Sequence, residues 1–361
     1  MNTIQKIGIY GGSFDPFHKG HQSVAQTAIE QLNLDELYLV PAWQNPTKKN
    51  SPLVTSEHRL KMLDLVKTNK IKVSDFEIRA QKVSYTIDTI NYFVKKFPNA
   101  QLFLIIGSDN LKFFHKWKNY EQILELAQLV VYQRDYRISK SHINKYKLIS
   151  LIAKPLNFNS TEIRQGNLNQ CPAEISSYIA KNFLYIDVIL KYQINNGERL
   201  KHCYNTAKMA ASLAKAHNSD AKIAYYAGLL HDITKTWEPE KHRLFLENHH
   251  FGDVSKLLNY QLHQLSAAQF LKSNYPLPYP EIVRAIECHT SLCHQMNLLD
   301  KIVYVSDKIA IGRRFEGVQQ LRKLALEDID AVFKILVKQS AQLHKEEKNS
   351  DEQNELYKIH S

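Results

Sequence analysis

The chain has no run of about 18 consecutive apolar residues, so no membrane span is expected. Its four cysteines, Cys171, Cys203, Cys288 and Cys293, lack the paired spacing of a metal knuckle and read as free thiols. Neither a long Lys/Arg block nor an aromatic-basic repeat occurs, which counts against nucleic acid as a ligand. No internal repeat is evident. The opening MNTIQKIGIYGG reads as a short strand entering a turn and not as a signal peptide. A cytoplasmic location is the expectation.

What is present is basic and uneven. The 361 residues favour two domains over one, and 44% apolar residues can supply more than one core. Of the net charge of +11, residues 1–185 hold a surplus of nine, with 24 Lys+Arg against 15 Asp+Glu. The rest holds 23 against 21 but carries eleven of the sixteen histidines. A basic first half points to anionic ligands, and a His-rich second half to metal.

Short apolar runs alternate with amphipathic ones up to about residue 153. Strands are predicted at 6–10, 36–40, 70–77, 101–107, 129–134 and 148–153, with helices near 19–32, 56–68, 86–97 and 117–127. This alternation predicts a parallel sheet wrapped by helices. NSTEIRQG and CPAEISSYIAKNFLY read as two further helices, the second entered by Pro172. Beyond residues 186–198 nearly everything has helical periodicity, and SNYPLPYP separates two helices. The expected division is 1–187, 188–340, and a polar tail 341–361 that frays.

GGSFDPFHKGH, residues 11–21, follows a strand and opens a helix, a geometry that aims backbone N–H groups at an anion. Gly11 and Gly12 admit a phosphate without an intervening Cβ. His18 and His21 share one face of the first helical turn. Two imidazoles at a helix N-terminus suit phosphoryl or nucleotidyl transfer, which needs mainly charge neutralisation and alignment. No GK[ST] closes the loop, so it is not a Walker A motif.

These eleven residues resemble the GGxFDPxHxGH signature of the nucleotidyltransferases, and the resemblance extends to about residue 185. It implies a Rossmann-like α/β domain in which His18 and His21 are catalytic and Gly11, Gly12, Ser13 and Phe14 bind ATP. NSTEIR is similar to the family's second signature, which implies that Ser160, Thr161 and Arg164 hold the β- and γ-phosphates. GSDNLKFFHKWK and SYTIDT resemble the nicotinate-mononucleotide adenylyltransferases. That implies Asp109 against adenosine, Trp117 stacked on nicotinate, and Thr86 at its carboxylate; Arg134 and Lys48 are further candidate contacts. NPTKK places Thr47 where many relatives have histidine. The implied reaction joins nicotinate mononucleotide to the α-phosphorus of ATP, giving deamido-NAD and pyrophosphate, with Mg²⁺ carried by ATP.

In AGLLHDITK, His231 and Asp232 adjoin in an apolar helical context, where unpaired polar groups are costly. His202, His263, His289 and Asp307 occupy similar contexts. Four histidines and two carboxylates together would suit one or two transition metals, which activate water and bind phosphate oxygens. His217, His242, His249, His250, His294, His344 and His360 read as surface residues. The order His…His-Asp…Asp resembles the HD phosphohydrolases, which implies an all-α helical bundle. LLDKIVYVSDKIAIGRRFEGVQQLRKLA is similar to the members that cut diadenosine tetraphosphate symmetrically into two ADP. The implied metal ligands are His202, His231, Asp232, His263, His289 and Asp307, with iron as the metal and Asp232 also catalytic. Arg199 and Lys235 are candidate phosphate contacts, and Arg313 and Arg314 are either that or solvated. Ala310 and Ile311 depart from the relatives' acidic residue and proline.

The combined expectation is a bifunctional enzyme with ATP, nicotinate mononucleotide and diadenosine tetraphosphate as its partners. Oligomeric state is left open. For the first domain the alternative is another phosphorylated acceptor, such as phosphopantetheine. For the second it is a different nucleotide phosphohydrolase, or a metal- and nucleotide-binding regulatory module without turnover.

Overall fold

After their first residues, Lys6, Glu36 and Gln101, the stretches KIGIY, ELYLV and QLFLIIG hold no polar side chain other than the tyrosine hydroxyls, which suits strands covered on both faces, as βαβ crossovers require. The computed structural model describes residues 4–44, 54–133, 138–152, 158–343 and 349–361. It divides the chain into Met1–Tyr185 and Ile186–Ser361, two residues ahead of the expected 187. The first unit holds β1 (Lys6–Gly12), β2 (Glu36–Pro41), β3 (Ile71–Val73), β4 (Gln101–Gly107), β5 (Gln128–Tyr132) and β6 (Ile149–Leu151). They form one parallel sheet in the order β3-β2-β1-β4-β5-β6. The order reverses between β1 and β4. In such a sheet that is where a crevice opens beyond the strands' carboxyl ends. Ile7, Ile9, Leu102, Leu104, Leu129 and Val131 recur at alternate positions on one face and pack with Ile87, Ile90 and Phe93.

One predicted strand is half right. KIKVSDFE is strand only through Val73, and Phe76–Ala80 is helical. The pairing ends because Glu77 turns inward, where its carboxylate accepts a 2.5 Å bond from Thr89 Oγ1, while Phe76 stacks on Tyr92.

The second unit is helical among its described residues. The helices Gly197–Ala216, Ala221–Leu230, Asn259–Ser273, Pro280–Cys288 and Leu298–Ile309 carry or adjoin every metal candidate. Gly228 lets two of them meet closely: a Cβ there would lie 3.0 Å from the Thr206 carbonyl and 3.1 Å from Ala207 Cα. No helix among the described residues is long and apolar enough to cross a membrane.

Three expectations are corrected here. The tail does not fray throughout: Asp351–His360 is a helix with Leu356 and Tyr357 buried, because its apolar positions recur at helical spacing. Gln353 in that helix donates to the Ser291 carbonyl, and His360 to that of Cys293. Cys288 and Cys293 are disulfide-bonded, since the turn after Pro280–Cys288 brings their Cα atoms to 5.4 Å; Cys171 and Cys203 are free and buried. His242 is buried and bonded to Ser266 Oγ at 2.6 Å, and burial pushes its imidazole down to about 4. His344 lies outside the described residues.

Candidate active sites

At the end of β1, Gly11, Gly12 and Ser13 enter the helix Lys19–Leu32, whose N-cap is His18. Helix N-termini leave backbone N–H groups without intrahelical acceptors. Here two are met by imidazoles: His21 N–H donates to His18 Nδ1 at 3.4 Å, and His18 N–H to His21 Nδ1 at 3.3 Å. Each Nδ1 is therefore an acceptor, and each neutral ring carries its proton on Nε2. The rings stack with centroids 3.7 Å apart. Gly20 makes room for this, because a Cβ there would lie 3.0 Å from the His18 ring. A Cβ at Gly11 would enter open space.

A cavity of about 510 Å³ brings Gly11, Gly12, Ser13, His18 and His21 together with Thr86, Asp109 and Trp117. Trp117 also packs on Phe114 of the core, so it is both core and wall. The Phe14 side chain is buried, edge-on to Tyr10 and His21, where it supports the His21 ring from the protein side. Ser160, Thr161 and Arg164 dock against the back of the loop. Ser160 Oγ donates to the Pro16 carbonyl, and Arg164 bonds the Asp15 carbonyl at 2.6 Å and Thr161 Oγ1 at 3.2 Å. Thr47, Lys48 and Arg134 lie outside the described residues.

Two residues here escaped sequence reasoning. Arg59, fully buried, donates to the carbonyls of Ser13 and Ala42 and so fixes the glycine loop. Glu77 lines the cavity, and burial raises its carboxyl pKa. Neither stands in a motif; an isolated Arg or Glu in an amphipathic stretch reads as solvated.

In the second unit the six metal candidates converge. Asp232 divides them. Its Oδ2 lies 3.3 Å from His231 Nε2 and 3.9 Å from His202 Nε2, whereas its Oδ1 lies 3.5 Å from His263 Nε2 and 3.8 Å from His289 Nε2. Asp307 Oδ1 faces His202 at 3.0 Å and His231 at 3.6 Å. Two groups able to hold a metal ion result, His202–His231–Asp232 and Asp232–His263–His289. His231 and Asp232 sit at and just past the end of Ala221–Leu230, not within it as expected.

The donor chemistry fits divalent metal. His231 Nδ1–H donates to the Gly228 carbonyl at 2.7 Å, and His289 Nδ1–H to that of Ile286 at 2.6 Å. Both Nε2 atoms are thereby turned toward the carboxylates, and among the described residues buried His231 Nε2 makes no well-aligned hydrogen bond. Burial keeps the His263 and His289 imidazoles below their usual pKa, hence neutral as ligands must be. Burial alone would raise Asp232 and Asp307, but His231 beside the first and His202 beside the second hold them well below the ordinary range. Burial opposes a proton on His231, yet Asp232 and Asp307 push its pKa up to about 9.

Cations surround this cluster. Arg199 Nη1 bonds Asp232 Oδ2 at 2.8 Å, and Lys235 Nζ lies 3.2 Å from His263 Nδ1. Arg313 Nη2 reaches Asp307 Oδ1 at 2.8 Å, with Lys308 Nζ 3.6 Å from the other oxygen. Asp232, His263, His289 and Asp307 of the cluster and these four cations line a cavity of about 810 Å³. Arg314 is exposed and outside that lining. Lys308 was not anticipated, because a lysine following a candidate ligand reads as solvated until the helix is packed.

Comparison with known proteins agrees with this division. A Cytidylyltransferase-like family model matches residues 9–166, and an HD domain model matches residues 199–312, which implies divalent-metal binding in the second unit. A protein of Mycoplasma genitalium named probable nicotinate-nucleotide adenylyltransferase/Ap4A hydrolase is 32% identical over 92% of this chain and 97% of its own length. Its namesake in Mycoplasma pneumoniae is 32% identical over 93% and 99%. A probable nicotinate-nucleotide adenylyltransferase of Cytophaga hutchinsonii is 39% identical, matching 53% of this chain and 99% of its own. With one sequence relationship extending across both units, over more than nine-tenths of its length, the chain belongs to the nicotinate-nucleotide adenylyltransferase/Ap4A hydrolase family.

Proposed function

We propose that the chain is a bifunctional enzyme, making deamido-NAD from ATP and nicotinate mononucleotide in its first unit and hydrolysing diadenosine tetraphosphate to two ADP in its second. The observation that carries the first activity is the reciprocal cap of His18 and His21. With both Nδ1 atoms accepting from backbone N–H groups, each neutral ring carries its proton on Nε2, and both rings line the cavity beside a glycine loop. Attack by the mononucleotide phosphate on the α-phosphorus of ATP builds negative charge on the transferring group. Donors already aimed there stabilise it without reorganisation. Asp109 contacts adenosine, while Trp117 and Thr86 take the nicotinate ring and its carboxylate, with Lys48 and Arg134 as further contacts. Ser160, Thr161 and Arg164 serve the β- and γ-phosphates, and Mg²⁺ enters with ATP.

The observation that carries the second activity is Asp232, which gives one oxygen to each histidine pair. His202, His231, Asp232, His263, His289 and Asp307 would hold one or two metals, which we assign as iron. When bound, iron supplies an activated water and binds phosphate oxygens. Arg199, Lys235, Lys308 and Arg313 neutralise the polyphosphate, and Arg199 and Arg313 then exchange carboxylate partners for phosphate. The test is metal analysis of the purified chain together with two product assays: deamido-NAD from ATP and nicotinate mononucleotide, and ADP from diadenosine tetraphosphate. Bound metal without release of ADP would instead favour a regulatory module.

A further inference from the structure

The cavity of the first unit holds a buried carboxyl group that the transfer chemistry leaves unused. Glu77 is 9% exposed and lines that cavity together with Ser84, Thr86, Thr89 and Trp117. Adenylyl transfer gathers negative charge on its phosphates, and a carboxylate does nothing to stabilise that charge. Burying one is costly unless donors meet it, and an apolar side chain would fill the same space without the cost. The partners of Glu77 put it on the acceptor side of the cavity.

Those partners bracket Thr86. Thr89, in the first turn of the helix Thr86–Lys96, donates through Oγ1 to Glu77 Oε1 at 2.5 Å. Burial raises the Glu77 pKa, while the Thr89 and Ser84 hydroxyls work against that rise by hydrogen bonding to the charged form. Ser84 in turn gathers the loop after β2. Its Oγ accepts from the Trp43 N–H at 3.1 Å, and its own N–H donates to the Gln44 carbonyl at 3.1 Å. Gln44 and Val83 form a parallel bridge at the same place. One carboxylate therefore anchors hydroxyls two residues before and three residues after Thr86, and through Ser84 it reaches the segment 43–44. The ATP loop is held by other groups: Arg59, Arg164 and Ser160 take the carbonyls of Ser13, Asp15 and Pro16.

We propose that Glu77 is a positioning residue for the acceptor nucleotide, fixing residues 84–89 so that Thr86 meets the nicotinate carboxylate. It acts through the hydroxyls it anchors and takes no part in the transfer itself. Its loss weakens the mononucleotide and spares ATP. This rests on the adenylyltransferase reading above and adds to it a residue that sets acceptor affinity.

The test is steady-state synthesis of deamido-NAD by the full-length chain, with each substrate varied in turn. In Glu77→Ala, KM for nicotinate mononucleotide should rise about ten-fold, in line with losing a buried hydrogen-bonded charge. KM for ATP should stay within about two-fold and kcat within about three-fold, the pattern of lost ground-state binding. Glu77→Met fills the space without an acceptor and should behave like the alanine variant. Glu77→Gln keeps an acceptor for the two hydroxyls and should recover most of the loss. Thr89→Val removes one of those hydroxyls; it should raise the same KM about three-fold in the parent and add nothing in Glu77→Ala. An unchanged mononucleotide KM in Glu77→Met overturns the proposal, as does an equal rise in KM for ATP. If the Glu77 variants do not fold, Thr89→Val decides by the same two criteria. A parent chain that makes no deamido-NAD sinks the adenylyltransferase reading and this assignment with it. An active parent indifferent to changes at Glu77 and Thr89 removes the assignment alone.

Discussion

The histidines that cap helices in the two units do so at opposite ends, and the ends decide what those imidazoles can do. His18 caps a helix N-terminus, where backbone N–H groups lack acceptors, so Nδ1 accepts and Nε2 keeps the proton. His231 and His289 cap helix C-termini, where carbonyls lack donors, so Nδ1–H donates and Nε2 is turned inward as a base. The macrodipole acts in the same sense, favouring anions at the first kind of end and cations at the second. The roles proposed for histidine, phosphate donor in one unit and metal ligand in the other, thus follow from its placement. No change of residue type is needed, only a change of helix end.

The harshest way to break this comparison is at Asp232, the residue shared by both histidine groups. Asp232→Ala should lose bound metal and lower ADP release by roughly 10³-fold or more, while deamido-NAD synthesis stays within a few-fold of the parent. Asp232→Asn keeps the shape without the charge and should behave alike. Elemental analysis beside both product assays decides it. Hydrolysis that survives in either variant would mean the metal site is misassigned, and collapse of synthesis in a folded variant would mean the units are coupled.

At the other kind of helix end, His18→Ala should lower adenylyl transfer by roughly 10²-fold, in line with losing one transition-state donor. KM for ATP should move much less, and hydrolysis should not change. Gly20→Ala tests the same imidazole without deleting it, because the new Cβ presses on the His18 ring. A loss of about ten-fold in kcat, with normal thermal stability of the first unit, is expected. Full activity in Gly20→Ala would show that the stacked placement of the two rings is unimportant.

Legibility in the sequence followed how local each feature is. The phosphate site lies mostly in one contiguous stretch, and the helix Lys19–Leu32 begins and ends where periodicity puts it. The six metal candidates are spread from His202 to Asp307, yet each stood out because a polar residue in an apolar helical run needs a partner. Features created only by packing were not legible. His242 had no motif, and its burial depends on Ser266, twenty-four residues away. Arg59 looks like any exposed helical arginine until two loop carbonyls close on it. The Cys288–Cys293 pair depends on a reversal after His289 that no spacing rule supplies. The strand expected through Glu77 failed for a related reason: Thr89, in another element, draws that carboxylate inward.

Trp117 sharpens the comparison from the substrate side, since it is wall and core together. Trp117→Ala should raise KM for nicotinate mononucleotide about ten-fold and leave that for ATP nearly intact. Trp117→Phe should recover most of the loss. Steady-state kinetics with each substrate varied in turn separates this from a packing defect, which would lower stability and affect both substrates.

The smallest effect expected lies in the C-terminal helix, whose contribution bears on the metal side alone. Buried Gln353 donates through Nε2 to the Ser291 carbonyl at 2.9 Å, two residues past His289. Gln264 holds the same turn from the other side, its Oε1 accepting from the N–H groups of Thr290 and Ser291. The His289 ring itself is fixed separately by the Ile286 carbonyl. Removing the Gln353 amide should therefore loosen the turn without displacing the ligand. Gln353→Ala leaves a buried carbonyl unsatisfied, which costs about 1–3 kcal/mol. The second unit should melt a few degrees lower, metal content should hold, and ADP release should fall no more than about two-fold. Deamido-NAD synthesis should not respond at all. Loss of metal in this variant would show that the turn, and not the Ile286 carbonyl, is what orients His289. An unchanged melting temperature would show that the terminal helix adds nothing to the unit it packs against.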